Sequence, residues 1–222
     1  MEENQRIELK AFFRTTDMAR FENWALSHTS LSSLFPDRII NNIYFETYNY
    51  DSVSDNIDGI SKRTKIRLRW YGNLINNKLI GNLEFKRKNN TVGWKEQYPV
   101  QINDFLLKKY SQIFQQIRES LPDNRHMEFL NYTQPFILNS YNRKYFSTDD
   151  KKVRVTLDSS IEAFDQRWSI GIKHDKKIIM PAIVIVEFKF AIKDKNIAIK
   201  LMKDLPFRIS KHSKYISSVL HA

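Results

Sequence analysis

Lys65-Ile66-Arg67-Leu68-Arg69-Trp70-Tyr71 decides how the rest of this chain is read. It alternates with period two, the mark of a β-strand. Ile66, Leu68 and Trp70 fall on one face and Lys65, Arg67 and Arg69 on the other. Three cations in successive same-face positions repel one another unless they share an anion. A basic edge strand that blocks aggregation is the plainer alternative, and the neighbouring segments decide between the two.

Those segments alternate in the same way. Residues 6–13 set Arg6, Glu8 and Lys10 against Ile7 and Leu9, and residues 41–48 set Tyr44 and Glu46 against Ile43 and Phe45. Residues 83–88 set Glu84, Lys86 and Lys88 against Leu83 and Phe85, and Val92 to Val100 carries Lys95 and Glu96. In the second half, residues 141–146 form a short strand. Residues 153–158 place Arg154, Thr156 and Asp158 opposite Val153, Val155 and Leu157. Residues 182–190 place Glu187 and Lys189 opposite Val184, Val186, Phe188 and Phe190. Helical spacing of apolar residues predicts helices over 16–27, 103–120 and 194–204, with a short one from Ser210 to Leu220. The polar stretch 49–62 reads as a loop, and Pro122-Asp123 ends the longest helix.

With 222 residues, 41% of them hydrophobic, the chain suits one domain, 1–222, with a substantial core. Lysine and arginine outnumber acids 36 to 25, giving a net charge of +11, which points to a polyanionic partner. There is no cysteine, which excludes thiol chemistry and CxxC metal sites. Glycine-rich phosphate loops are absent too, so any phosphate must be held by side chains. No apolar run reaches the ~18 residues a membrane helix needs. The polar start carries no signal-peptide pattern, and a cytoplasmic location is expected.

Helices with apolar stripes need a surface to cover, and the apolar strand faces supply it. The expectation is an α+β fold: an antiparallel β-barrel enclosing a charged tunnel, with helices packed outside. An open sheet with its charges in bulk water is the alternative.

Seven motifs in order carry a resemblance. They are Arg6-x-Glu8-x-Lys10, Arg67-x-Arg69-Trp70-Tyr71-Gly72, Leu83-Glu84-Phe85-Lys86, Ser140-Tyr141-x-Arg143, Val153-Arg154-Val155-Thr156-x-Asp158, Glu187-Phe188-Lys189 and Ser210-Lys211-His212-Ser213-Lys214-Tyr215. Together they resemble the VTC domain, the catalytic domain of vacuolar transporter chaperone polyphosphate polymerases, within the triphosphate tunnel metalloenzyme superfamily. The resemblance implies that Arg67, Arg69, Lys86 and Arg143 are catalytic tunnel cations, and that Lys10, Arg154 and Tyr141 bind substrate. It implies that Lys211, Ser213 and Lys214 lie on a C-terminal helix at the tunnel mouth, and that Glu187 ligates a divalent metal, Mn²⁺ or Mg²⁺. His212 reads as exposed, Trp70 and Tyr71 as packing, and Asp158 and Glu84 as orienting cations.

The implied reaction moves the ATP γ-phosphate onto inorganic polyphosphate. Tunnel triphosphatases and class IV adenylate cyclases typically open with ExExK, whereas Arg6 stands first here. Fewer carboxylates activate water less well, which favours polymerase over triphosphatase. A non-catalytic binder of polyphosphate is a third reading. Nucleic acid is not expected, since no helix-turn-helix, zinc-finger or RRM pattern is present. Relatives carry membrane helices that this chain lacks, which leaves room for a membrane-protein partner.

Overall fold

The computed structural model describes residues 6–28, 30–90, 92–210 and 212–222. The strands are β1 (Arg6–Arg14), β2 (Leu31–Glu46), β3 (Lys62–Tyr71), β4 (Leu79–Asn89), β5 (Val92–Ile102), β6 (Gln134–Thr148), β7 (Val153–Asp165) and β8 (Ile183–Ala191). The α-helices are α1 (Met18–Ser27), α2 (Asp51–Ile57), α3 (Tyr110–Glu119), α4 (Asp123–Leu130), α5 (Lys195–Met202) and α6 (Lys214–Leu220). The strands pair in the order β1-β8-β7-β6-β2-β3-β4-β5. The β1–β8, β7–β8, β2–β3, β3–β4 and β4–β5 ladders are antiparallel. Among the described residues these pairings end on β1 and β5, and closure into a barrel is not one of them. Alternation tells which face of a strand is polar. It is silent on whether the first and last strands meet.

The chain forms two compact units. One takes Met1–Arg38, Tyr141–Ile161 and Pro181–Ser213; the other takes Ile39–Ser140, Glu162–Met180 and Lys214–Ala222. In the second unit, Ile66, Leu68 and Trp70 of β3 and Leu83 and Phe85 of β4 are buried with Ile113 and Ile117 of α3. Trp70 meets Phe105 edge-on at 5.3 Å between ring centroids. In the first unit, Val184, Val186 and Phe188 of β8 are buried with Phe21 and Trp24 of α1 and Ala198 and Leu201 of α5. In each unit helices cover the apolar sheet face. Burial of each large side chain stabilises by about 1.5–3 kcal/mol.

Four expectations need correction. The strand expected at 41–48 begins at Leu31, and its first half is too exposed to show an apolar rhythm. The expected loop 49–62 contains α2, which has seven residues and buries only Ser52, too little for a readable stripe. The helix expected from 103 is a 3-10 turn at Phe105–Leu107 followed by α3. It breaks where Lys109 bridges Gly171 and the Tyr110 N–H donates to the Ile170 carbonyl at 2.8 Å. Pro122 also opens a helix, standing extended as the N-cap of α4, a helix boundary where proline's missing donor costs nothing.

The edge of β1 is covered by the segment before α6. The Ser210 N–H donates to the Lys10 carbonyl at 2.7 Å, and Ala11 bridges Ile209. On β4, Gly81 stands opposite Trp70, and a Cβ there would lie 2.2 Å from the Arg69 carbonyl oxygen. Gly81→Ala should therefore lower stability by about 1–3 kcal/mol. Gly93→Ala, whose Cβ would meet its nearest neighbour at 3.5 Å, should change little. Denaturant unfolding of the two variants measures the difference.

Candidate active site

The polar face of the second unit is built around one carboxylate. Arg67 and Glu84 stand opposite each other in the β3–β4 ladder. Arg67 Nε donates to Glu84 Oε2 at 2.7 Å, and its NH2 lies 2.6 Å from the same oxygen. Lys95 Nζ at 3.0 Å and Gln97 Nε2 at 2.7 Å donate to Glu84 Oε1. Arg69 NH1 approaches Glu84 at 3.7 Å, while its Nε donates to Asn42 Oδ1 at 2.8 Å. The Asn42 amide donates in turn to Asn139 at 2.9 Å. Arg67 NH1 also donates to the Tyr44 hydroxyl at 3.0 Å.

Burial alone would raise the Glu84 carboxyl, but Arg67, Arg69 and Lys95 hold it well below the usual carboxylate range. Burial pushes Lys95 down against the pull of Glu84. Three cations around one anion leave this cluster with a net charge of +2. Lys65, Lys86 and Lys95 also stand in one cross-strand row. Like charges placed opposite one another are unfavourable, and a row of this kind attracts anions.

On the polar face of the first unit, cations and acids are interleaved. Lys10 stands opposite Glu187, Glu8 opposite Lys189, and Thr156 opposite Glu187. Lys10 Nζ lies 2.7 Å from Glu8 and donates to the His212 carbonyl at 3.3 Å. Lys189 Nζ bridges Glu187 at 2.7 Å and Glu8 at 3.6 Å. Arg143 grips Asp158 through two bonds, at 2.5 and 2.7 Å, and its NH2 lies 4.0 Å from Glu187. Its guanidinium sits over the Tyr141 ring, 5.4 Å from the centroid. Burial works against the Lys10 charge, yet Glu187, Glu8 and Asp158 raise its pKa. Lys10 therefore stays a cation.

Among the described residues, no group of three or more His, Asp or Glu side chains is placed to hold a metal by itself. Glu187, the predicted metal ligand, is paired with Lys189 at 2.7 Å, and an ion held by this one carboxylate would take its other ligands from phosphate oxygens and waters.

The remaining predicted residues are placed as follows. Lys86 and Arg154 are exposed on their strands. The helix expected from Ser210 begins at Lys214, so Ser213 lies just before it and not on it; both residues are half-buried. Lys211 lies outside the described residues. His212 is half-buried, not exposed; its ring lies 5.2 Å from that of Phe12. Trp70 packs in the core as expected, whereas Tyr71 is 46% exposed.

Sequence reasoning passed over Asn42, Asn139 and Gln97, and noted Lys95, Thr156 and Lys189 on their strand faces without assigning them to the site. Pairing residues across the Asn89-Asn90 turn would have put Lys95 opposite Lys86. A further cluster gave no local signal. Glu46 accepts from the Tyr215 hydroxyl and from the Ser52 N–H, and Tyr215 stacks on Tyr44 with Lys65 Nζ 5.1 Å from its centroid.

Two solved structures share the fold. One is a putative adenylyl cyclase from Hippeastrum described as having a dominant triphosphatase activity. It matches with a TM-score of 0.57 and 13% identity over 96% of each chain. The other, a putative adenylate cyclase from Vibrio parahaemolyticus, matches with a TM-score of 0.53 and 13% identity over 96% of this chain and 98% of that one. The class is thus an antiparallel α+β fold like that of these cyclase and triphosphatase structures.

The VTC domain model matches residues 5–222, and the chain belongs to that family. Subunit 4 of the vacuolar transporter chaperone complex of Schizosaccharomyces pombe is 26% identical over 207 residues, covering 77% of this chain and 28% of that protein. The chain therefore spans less than a third of that relative. No helix among the described residues is long and apolar enough to cross a membrane.

The site carries a pH prediction. The folded pKa of Glu84 is depressed, so its stabilising contribution is present above the unfolded value near 4.5 and is lost as pH falls through the folded value. Glu84→Gln should cost about 3 kcal/mol at pH 7, because the buried Arg69 and the half-buried Arg67 lose their partner. The gap to the wild type should narrow below pH 4.5. Urea unfolding at stepped pH checks both the size and the direction.

Proposed function

We propose that this chain is a metal-dependent polyphosphate polymerase that transfers the γ-phosphoryl group of ATP to the end of a polyphosphate chain. The bond from the γ-phosphorus to the β,γ-bridging oxygen breaks, and ADP leaves with that oxygen. A terminal polyphosphate oxygen forms the new bond. That oxygen is already ionised at neutral pH, so no general base is required. The work left to the protein is positioning and neutralising phosphate oxygens.

The observation that carries this reading is the VTC match over residues 5–222, on a chain whose predicted cations lie on polar sheet faces. Arg67, Arg69 and Lys86 would neutralise the reacting phosphates, with Arg143 acting the same way from its own face. Arginine forks suit bidentate phosphate contacts, and lysines act as point charges. Lys10, Arg154, Tyr141, Lys211, Ser213 and Lys214 would hold the nucleotide and the polymer. Glu187 would ligate Mn²⁺ or Mg²⁺, which supplies charge neutralisation at the phosphate oxygens. The closed tunnel implied by the family resemblance is part of this reading.

Incubation with ATP and Mn²⁺ should give a polyphosphate ladder on a stained gel, with ADP released in step. Free phosphate without a ladder would instead mark a triphosphatase, and neither product would mark a binder. Arg67→Lys and Arg143→Lys keep the charge and lose the fork. Each should cut turnover by about 100-fold or more while leaving the circular dichroism spectrum unchanged. Near-normal turnover in either variant removes that arginine from the site.

A further inference from the structure

In the second unit, away from the Glu84 cluster in sequence, a shallow cavity of about 470 Å³ opens between the segment before α3 and the loop after β7. Its wall includes Leu107, Trp168 and Ile170 together with Lys108, Lys109 and Lys173, and none of the residues lining it is acidic. Leu107 is 78% exposed, Trp168 87% and Ile170 74%. Large apolar side chains grouped at such exposure are unusual unless they meet a partner.

The exposure is enforced by the scaffold. Gln166 is fully buried. It accepts from the Tyr110 hydroxyl at 2.8 Å and from the Lys173 N–H at 3.0 Å, and its amide donates to the Lys173 carbonyl at 2.7 Å. The Lys109–Gly171 bridge ties the two segments together. Between these ties, Trp168 holds a left-handed φ of 60°, a conformation a bulky residue adopts only where its surroundings impose it. The loop is thus held in a shape that turns an indole outward.

We propose that this face is a docking surface for an anionic lipid bilayer. Protruding apolar tips need no complementary pocket in a bilayer, and an indole settles at the headgroup level. Lysines around the tips meet anionic headgroups without displacing the apolar contact. None of these six residues belongs to the phosphoryl-transfer proposal, so the two stand or fall separately.

The test is sedimentation of the full chain with phosphatidylcholine vesicles, with and without 30% phosphatidylglycerol (a composition chosen as roughly that of a moderately anionic surface). Wild type should bind the anionic vesicles and not the neutral ones. The variants Lys108→Glu/Lys109→Glu/Lys173→Glu and Leu107→Ala/Trp168→Ala/Ile170→Ala should each weaken binding by at least about tenfold. Both should unfold at the wild-type midpoint. Absence of vesicle binding overturns the proposal. Binding that survives both variants overturns it too, because the general charge of the chain is then responsible. Loss in the lysine variant alone rules out insertion and overturns it as well. Trp168 that stays open to an aqueous quencher on vesicles, and is covered only by a protein, makes the face a protein interface and ends the proposal.

Discussion

The polar sheet faces depend on one interaction: cations on neighbouring strands converge on a buried carboxylate. Glu84 gathers Arg67, Arg69 and Lys95. Asp158 and Glu187 do the same for Arg143, and Glu187 also takes Lys189. Removing an acid would leave charges buried and unpaired, at a cost of several kcal/mol. The apolar side of the same strands offsets that risk, since Ile66, Leu68, Leu83 and Phe85 are all fully buried. Strand alternation couples the two faces, so the core that stabilises β3 and β4 also fixes the positions of their cations.

The two clusters differ in their ratio of cations to acids. Around Glu84, three cations meet one acid. Around Glu187, Lys10, Lys189 and Arg143 are interleaved with Glu8, Glu187 and Asp158. Under the proposed function, the surplus cations of the first cluster would meet phosphate oxygens, and a divalent ion arriving with a polyphosphate would compete with Lys189 for Glu187.

The sequence made the local part of this arrangement readable. Period-two alternation identified β1, β3, β4, β7 and β8, and with them the faces of Lys10, Arg67, Arg69, Arg154 and Glu187. Ordered motifs added the family. What could not be read was whatever depends on partners distant in the chain. Asn42 meets Asn139 at a separation of 97 residues, and Glu46 meets Tyr215 at 169; neither residue stands out in its own segment. The exposed half of β2 and the short α2 escaped for a different reason, because periodicity records burial and these segments bury little. Gly81 is a third kind of miss. Its role is the room it leaves for the Arg69 carbonyl, and an empty space leaves no pattern.

The way α6 is fastened follows from the same economy. Its first residue, Lys214, lies next to Tyr215, whose hydroxyl donates to the buried Glu46. Burial raises the Glu46 carboxyl against the pull of Tyr215, Ser52 and Lys65, and burial likewise raises the Tyr215 phenol. The anchor is therefore a desolvated hydrogen bond, backed by the stacking of Tyr215 on Tyr44 at 4.5 Å. Salt screens exposed ion pairs but acts weakly on buried contacts. If Lys214 meets a polyanion as proposed, its helix is held by a contact that the polyanion does not compete for, because Glu46 and Tyr215 are both buried.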